Sequence, residues 1–196
     1  MKPKKSYPKI LLGVFTIIWI ILAITPKYRD VWIVENILSV LLIITLIITY
    51  HKFQFSNLSY SLIFIFLILH SIGAHYSYSE MPLFDLLKNW LNLSRNHYDR
   101  VVHFLFGLVF YFPLQEFISR KLKIKKLWSH FFTFMILVGL KGVYEILEVG
   151  YHLVAESNVV ETNFLGMQDD RWDAQKDMFL GMIAAGFGWL FSWFRK

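Results

Sequence analysis

Lys141-Gly142-Val143-Tyr144-Glu145-Ile146-Leu147-Glu148-Val149-Gly150-Tyr151-His152 closes a long apolar run that opens at Trp128. Its ionisable residues stand at 141, 145, 148 and 152, a spacing of four, three and four that draws one stripe down a helix. A charge at bilayer depth costs about 2.5 to 3.5 kcal/mol on insertion scales, so the stripe must face partners, water or a ligand rather than lipid. At about 1.5 Å per residue it descends roughly 16 Å.

The run around the stripe is long enough to span a bilayer, and others accompany it. The 196 residues are 56% hydrophobic and only 17% charged, too apolar for an ordinary soluble domain. Apolar runs at about 10–25, 31–50, 58–74, 101–118, 128–150 and 178–194 predict an all-α, polytopic membrane helical bundle. It has about six transmembrane helices, forming a single integral membrane domain over 1–196. Between spans three and four, Leu83, Phe84, Leu86, Leu87, Trp90 and Leu91 oppose Asp85, Lys88, Asn89 and Asn92. That pattern fits a short interfacial helix with Pro82 in its first turn, or an amphipathic helix packed on the bundle. Pro113 predicts a kink in the fourth span.

Lys2, Lys4, Lys5 and Lys9 precede the first run as in a signal peptide, but Ala23-Ile24-Thr25-Pro26 is a poor cleavage site, so the helix is read as retained. Arg120, Lys121, Lys123, Lys125 and Lys126 cluster without an acid, which sets that loop and both the N- and C-termini on the cytoplasmic side. The formal net charge of +6 lies in such short interhelical clusters, which argues against nucleic acid as a partner. The absence of cysteine excludes disulfides, thiolate metal sites and a cysteine nucleophile.

In this topology four helix ends bring unusual residues to the outer side. The third span ends with His70, His75, Tyr76 and Tyr78, and the fourth begins with Arg95-Asn96-His97-Tyr98-Asp99-Arg100-Val101-Val102-His103. The fifth supplies the stripe. Asp170, Arg171, Asp173 and Asp177 lead into the sixth, whereas the inner half offers only Glu116. An outward-facing polar pocket follows, and two chemistries fit it.

In the first, Glu145, Glu148, Asp99, His103, Asp173 and Asp177 are catalytic candidates. Glu148, His152, His103 and Asp177 are then candidate ligands for a divalent metal ion that activates water or grips a phosphate. His70, His75, Tyr76, Arg95, Arg100, Lys141 and Arg171 are candidate substrate contacts. In the second, the same groups bind or pass a lipid headgroup, a drug or protons without chemistry. A structural or assembly role is a third class. Individually, Lys141 and Glu145 can neutralise each other, Asp99 and Asp173 can serve as helix starts, and His70 can be a satisfied core histidine. No Gly-rich phosphate loop and no Gly-x-Ser-x-Gly elbow is present.

The series His70 to Tyr78, then Arg95 to His103, Tyr144-Glu145 with Glu148, and Trp172-Asp173-Ala174-Gln175-Lys176-Asp177-Met178 resembles the YjdF-like family of bacterial inner-membrane proteins. More remotely, Asp99-x-x-x-His103-Phe104 and Asp173-x-x-x-Asp177 with Gly181 resemble the VanZ-like superfamily of cell envelopes. These resemblances imply a multi-pass protein of the bacterial plasma membrane. The lipid bilayer is its surroundings and an envelope lipid or lipid-linked molecule its expected substrate. Neither implies an oligomeric state.

Overall fold

A computed structural model describes residues 6–154, 168 and 170–194, which form seven helices and, among the described residues, no strand. They are α1 (Tyr7–Ile24), α2 (Arg29–Thr49), α3 (Asn57–Tyr76), α4 (Pro82–Trp90), α5 (Tyr98–Lys121), α6 (Lys126–Val154) and α7 (Asp173–Phe194). By length and composition α1, α2, α3, α5 and α7 can each cross a membrane. The stripe lies on α6, which at 29 residues is the longest helix. Glu156, Glu161 and Asp169 lie outside the described residues, as does the side chain of His152.

Large apolar side chains cover the outside of the bundle, among them Ile17 and Ile24 on α1, Ile44 and Ile48 on α2, Ile146 on α6 and Phe191 on α7. Such a surface would be a liability in water, and in hydrocarbon it is the ordinary exterior. The helices run further into their polar flanks than the apolar runs predict. α5 starts at Tyr98 rather than 101, and α7 at Asp173 rather than 178. The cause is tertiary, because the polar first turns find partners across the bundle. α4 follows the amphipathic pattern, leaving Leu83, Leu86 and Trp90 exposed while Phe84 packs edge-on against Tyr98 at 5.1 Å.

α5 is the axis: α3, α6 and α7 all pack on it, and α1 and α2 join through α3. Its closest neighbour is α7, along a seam of small residues that lets two backbones approach. A Cβ on Gly107 would run into the carbonyl of Gly181 and stand 3.0 Å from the amide nitrogen of Ala185; one on Gly188 would stand 2.6 Å from Tyr111 Cβ. Tyr111 and His130 share a 2.7 Å hydrogen bond, and His130 stacks on Trp189, so α5, α6 and α7 are pinned together. α5 runs through the buried Pro113 as one helix. Near its far end Glu116 accepts from the Ser56 amide (2.8 Å) and the Ser59 hydroxyl (2.5 Å), fastening the start of α3.

Candidate functional site

Site construction begins just before α5. Asn96, fully buried, accepts from the Tyr98 amide (3.0 Å) and donates to the Met81 carbonyl (3.0 Å) and the Asp85 carboxylate (2.9 Å). Its backbone exchanges two further bonds with the Gln168 side chain, at 2.8 and 3.0 Å. A buried amide so fully satisfied fixes the entry of α5 and holds Gln168 beside it.

From this anchored start the charges meet. Asp173, in the first turn of α7, pairs with Arg95 and, at 2.5 Å, with Arg100. Arg100 also reaches Asp170 at 2.9 Å, and Asp170 accepts from Lys176 at 2.6 Å. The Lys176 ammonium is the main reason the Asp170 carboxyl is held down at about 2, with the Trp172 amide and Arg100 adding to it against a smaller desolvation penalty. A carboxyl lowered in the fold contributes its pairing fully above the ordinary value of 3.8 and loses it as pH falls through about 2. Asp170 is therefore an anion throughout the neutral range.

One turn deeper, His103 Nε2 lies 3.2 Å from Asp99 Oδ1, while Nδ1 accepts from the Lys141 ammonium. Lys141 donates also to Glu145, four residues on, and its nitrogen lies 4.9 Å from the Tyr144 ring centre. Nδ1 thus faces the ammonium and Nε2 the Asp99 carboxyl. Asp177 Oδ1 comes within 3.6 Å of His103 Nδ1 and 3.7 Å of Arg100 Nε. That oxygen is buried without a hydrogen-bond partner among the described residues. Asp99, His103 and Asp177 each offer a ligand atom within 4.8 Å of the others.

The next wall comes from α2. Glu35, buried on α2 beside the equally buried Asn36, accepts from the Tyr144 hydroxyl at 3.2 Å. Its carbonyl accepts from His70 Nε2 at 2.9 Å, and His70 Nδ1 accepts from the Tyr78 hydroxyl at 2.5 Å. Burial pushes the Tyr78 phenol well above its usual value, so it remains a donor. Seven carboxylates, Glu35, Asp99, Glu145, Glu148, Asp170, Asp173 and Asp177, thus gather around Arg95, Arg100 and Lys141. Acidic residues outnumber the cations there, even with Lys176 beside Asp170 counted.

The structure brings together Arg95, Asp99, Arg100, His103, Lys141, Glu145, Asp173 and Asp177, with half-buried Glu148 one turn beyond Glu145. His70 is adjacent, but both its ring nitrogens are committed to the fold. Three expected residues lie apart from the cluster. His75 turns away and binds the Leu22 carbonyl at 2.7 Å, holding the end of α1; Tyr76 packs edge-on against His75; and Arg171 is exposed in the turn before α7. His70 and His75 are five residues apart, about 140° around a helix, so they cannot share a face. The stripe reading does not anticipate Glu35, whose one signal is a lone acid inside an apolar run.

A cavity of about 410 Å³ adjoins the cluster. Its walls are mainly apolar, from Leu38 and Leu42 on α2 to Leu140 and Leu147 on α6, with His70, Tyr78, His103, Lys141 and Tyr144 at its polar end. This differs from the acid-and-imidazole lining expected from the helix ends: the carboxylates are turned into ion pairs between α5, α6 and α7.

Comparison with known proteins adds a family. A family model described as a predicted membrane protein (DUF2238) matches residues 7–196. The inner membrane protein YjdF of Escherichia coli strain K12 is 29% identical over 171 residues, covering 87% of this chain and 81% of that protein. No solved structure matches.

Proposed function

The chain belongs to the DUF2238 family of predicted membrane proteins, and from that premise we propose an activity for its ionic cluster. The coarse placement needs no proposal: five long apolar helices and an inner-membrane relative make this a multi-pass plasma-membrane protein. We propose further that α6 is a sixth span, that both termini are cytoplasmic, and that the cluster faces outward. The basic stretch between α5 and α6 supports that orientation. The chain lacks cysteine, so a single Lys123→Cys substitution is expected to react with an impermeant maleimide only after the membrane is opened, and Ser79→Cys in intact cells. The reverse pattern would invert the topology.

The proposed activity is cation-assisted work on the headgroup of an envelope lipid or lipid-linked molecule. The observation that carries it is the buried Asp177 oxygen facing His103 without a hydrogen-bond partner among the described residues, with Asp99 completing a three-ligand group where acidic residues outnumber cations. Two donors on one ion stand at most about 4 to 5 Å apart for bond lengths of 2.0 to 2.6 Å, which agrees with this group. Carboxylate and imidazole donors suit a hard or borderline divalent ion, which would supply Lewis acidity or an activated water. Remote kinship with the VanZ-like superfamily belongs to the same proposal.

Lys141 decides the test, because its ammonium holds His103 Nδ1, which an ion facing Asp177 would need. Ion and ammonium therefore compete. Protein purified without chelator and titrated with manganese or zinc should bind about one ion. Affinity should fall about ten-fold or more in His103→Ala and Asp177→Asn, and rise in Lys141→Met. Failure of both wild type and Lys141→Met to bind either ion would remove the cation. A second reading would then stand on another observation: Lys141 bonds both His103 and Glu145, and Asp99 lies 3.2 Å from the other ring nitrogen of His103, a run of polar groups suited to holding or passing a proton.

A further inference from the structure

The cavity beside the cluster runs lengthwise between α2 and α6, which are joined by the Tyr144–Glu35 hydrogen bond and by Tyr151 packing against Val31. Its rims on α2 and α6, including Leu38, Leu140, Val143 and Leu147, are themselves 44 to 55% exposed on the outside of the bundle. The cleft therefore opens sideways, toward the surface that faces hydrocarbon. Phe66, Phe106 and Phe110 form its floor. From His103 to Leu114 along α5 it extends about 16 Å, and 410 Å³ falls within the range of about 300 to 1,000 Å³ typical of ligand sites.

The two ends of the cleft differ in chemistry. The deep part is hydrocarbon. The other end is lined by Lys141, His70, His103, Tyr78 and Tyr144, and among the described residues no acidic residue is part of the lining. Asp173 and Asp177 are turned toward Arg95 and Arg100, while Glu145 and Glu35 stand behind the lining, bonded to the Lys141 ammonium and the Tyr144 hydroxyl. His103 and Glu145 take two of the three N–H bonds of the ammonium, which leaves one for a guest. Cation above and hydrocarbon below define an amphiphile with an anionic head and a single chain in the cleft.

We propose that this cleft is a lateral lipid site: one hydrocarbon chain of a phosphate-headed membrane amphiphile lies between α2 and α6, with its phosphate against Lys141. The inference rests on the lipid-headgroup reading above and names the class of substrate and its route of entry, sideways from the bilayer rather than down from the water.

The test uses full-length protein in phosphatidylcholine nanodiscs and lysophosphatidic acid carrying a photoactivatable diazirine midway along its one chain. Adducts should fall on residues 38–42 and 137–147. They should exceed by about ten-fold those from a monoacylglycerol with the same chain, the difference a charged hydrogen bond makes. Leu140→Trp with Val143→Trp, both at exposed positions the fold tolerates, should fill the cleft and remove these adducts while divalent-ion binding persists. Lys141→Met should equalise the two probes. Labelling spread over the exposed faces of α1 and α7 and unchanged by the tryptophans would show ordinary boundary lipid and overturn the proposal. Equal labelling by the neutral probe in wild type would overturn the phosphate assignment. Because ion binding is measured on the same samples, loss of the cation site with intact cleft labelling would sink the activity proposed above and leave this one standing.

Discussion

Gly107→Val is expected to cost about 3 kcal/mol or more and to leave little folded protein in detergent. The seam between α5 and α7 has no room: even a single methyl at 107 meets the Gly181 carbonyl, and a carbonyl on a neighbouring helix cannot swing aside as a side chain can. Overpacking usually costs about 1 to 3 kcal/mol, and a collision with backbone lies at the upper end or beyond it. Gly139→Val on α6 is the control. Nothing stands within 4 Å of a Cβ there, so the same substitution should change stability little. Chemical unfolding in micelles followed by circular dichroism compares the two. Similar stabilities would mean that α5 and α7 do not meet as described.

Asp173→Asn is expected to lose about 3 to 5 kcal/mol, the usual consequence of taking one member from a buried ionic set. The lost charge is shared by two guanidiniums, Arg95 and Arg100, so their positive charge would be left with Asp170 and the more distant Asp177 as partners. Adding Arg95→Gln to Asp173→Asn should restore part of the loss, because the second substitution removes a cation that the first has deprived of its nearest carboxylate. A double-mutant cycle reads this directly. Strictly additive losses would contradict the pairing.

Much of this architecture is legible in the chain itself. Apolar runs of bilayer length give the helices, and a four, three, four spacing places Lys141, Glu145 and Glu148 on one face because a helix repeats every 3.6 residues. The pairing of Asp99 with His103 follows from the same rule. Local periodicity does not reveal contacts between distant segments. Glu35 meets Tyr144 across 109 residues and His70 across 35, and neither separation leaves a trace in spacing. His75 shows the same limit from the other side: a histidine near His70 in sequence lies on a different face and holds the end of α1. The direction in which the carboxylates point is also invisible in the sequence, because it depends on which cations the folded chain sets opposite them.

The ion pairs between α5, α6 and α7 bear on how the protein is made. α5 enters with Arg95 and Arg100 at its head, and α6 carries Lys141 halfway along. The carboxylates that answer the two arginines, Asp173 among them, arrive only with α7, which the ribosome makes afterwards. Lys141, by contrast, meets Glu145 on its own helix and needs nothing made later. The head of α5 is therefore completed only when α7 joins it, which makes the docking of these two helices a late and joint event.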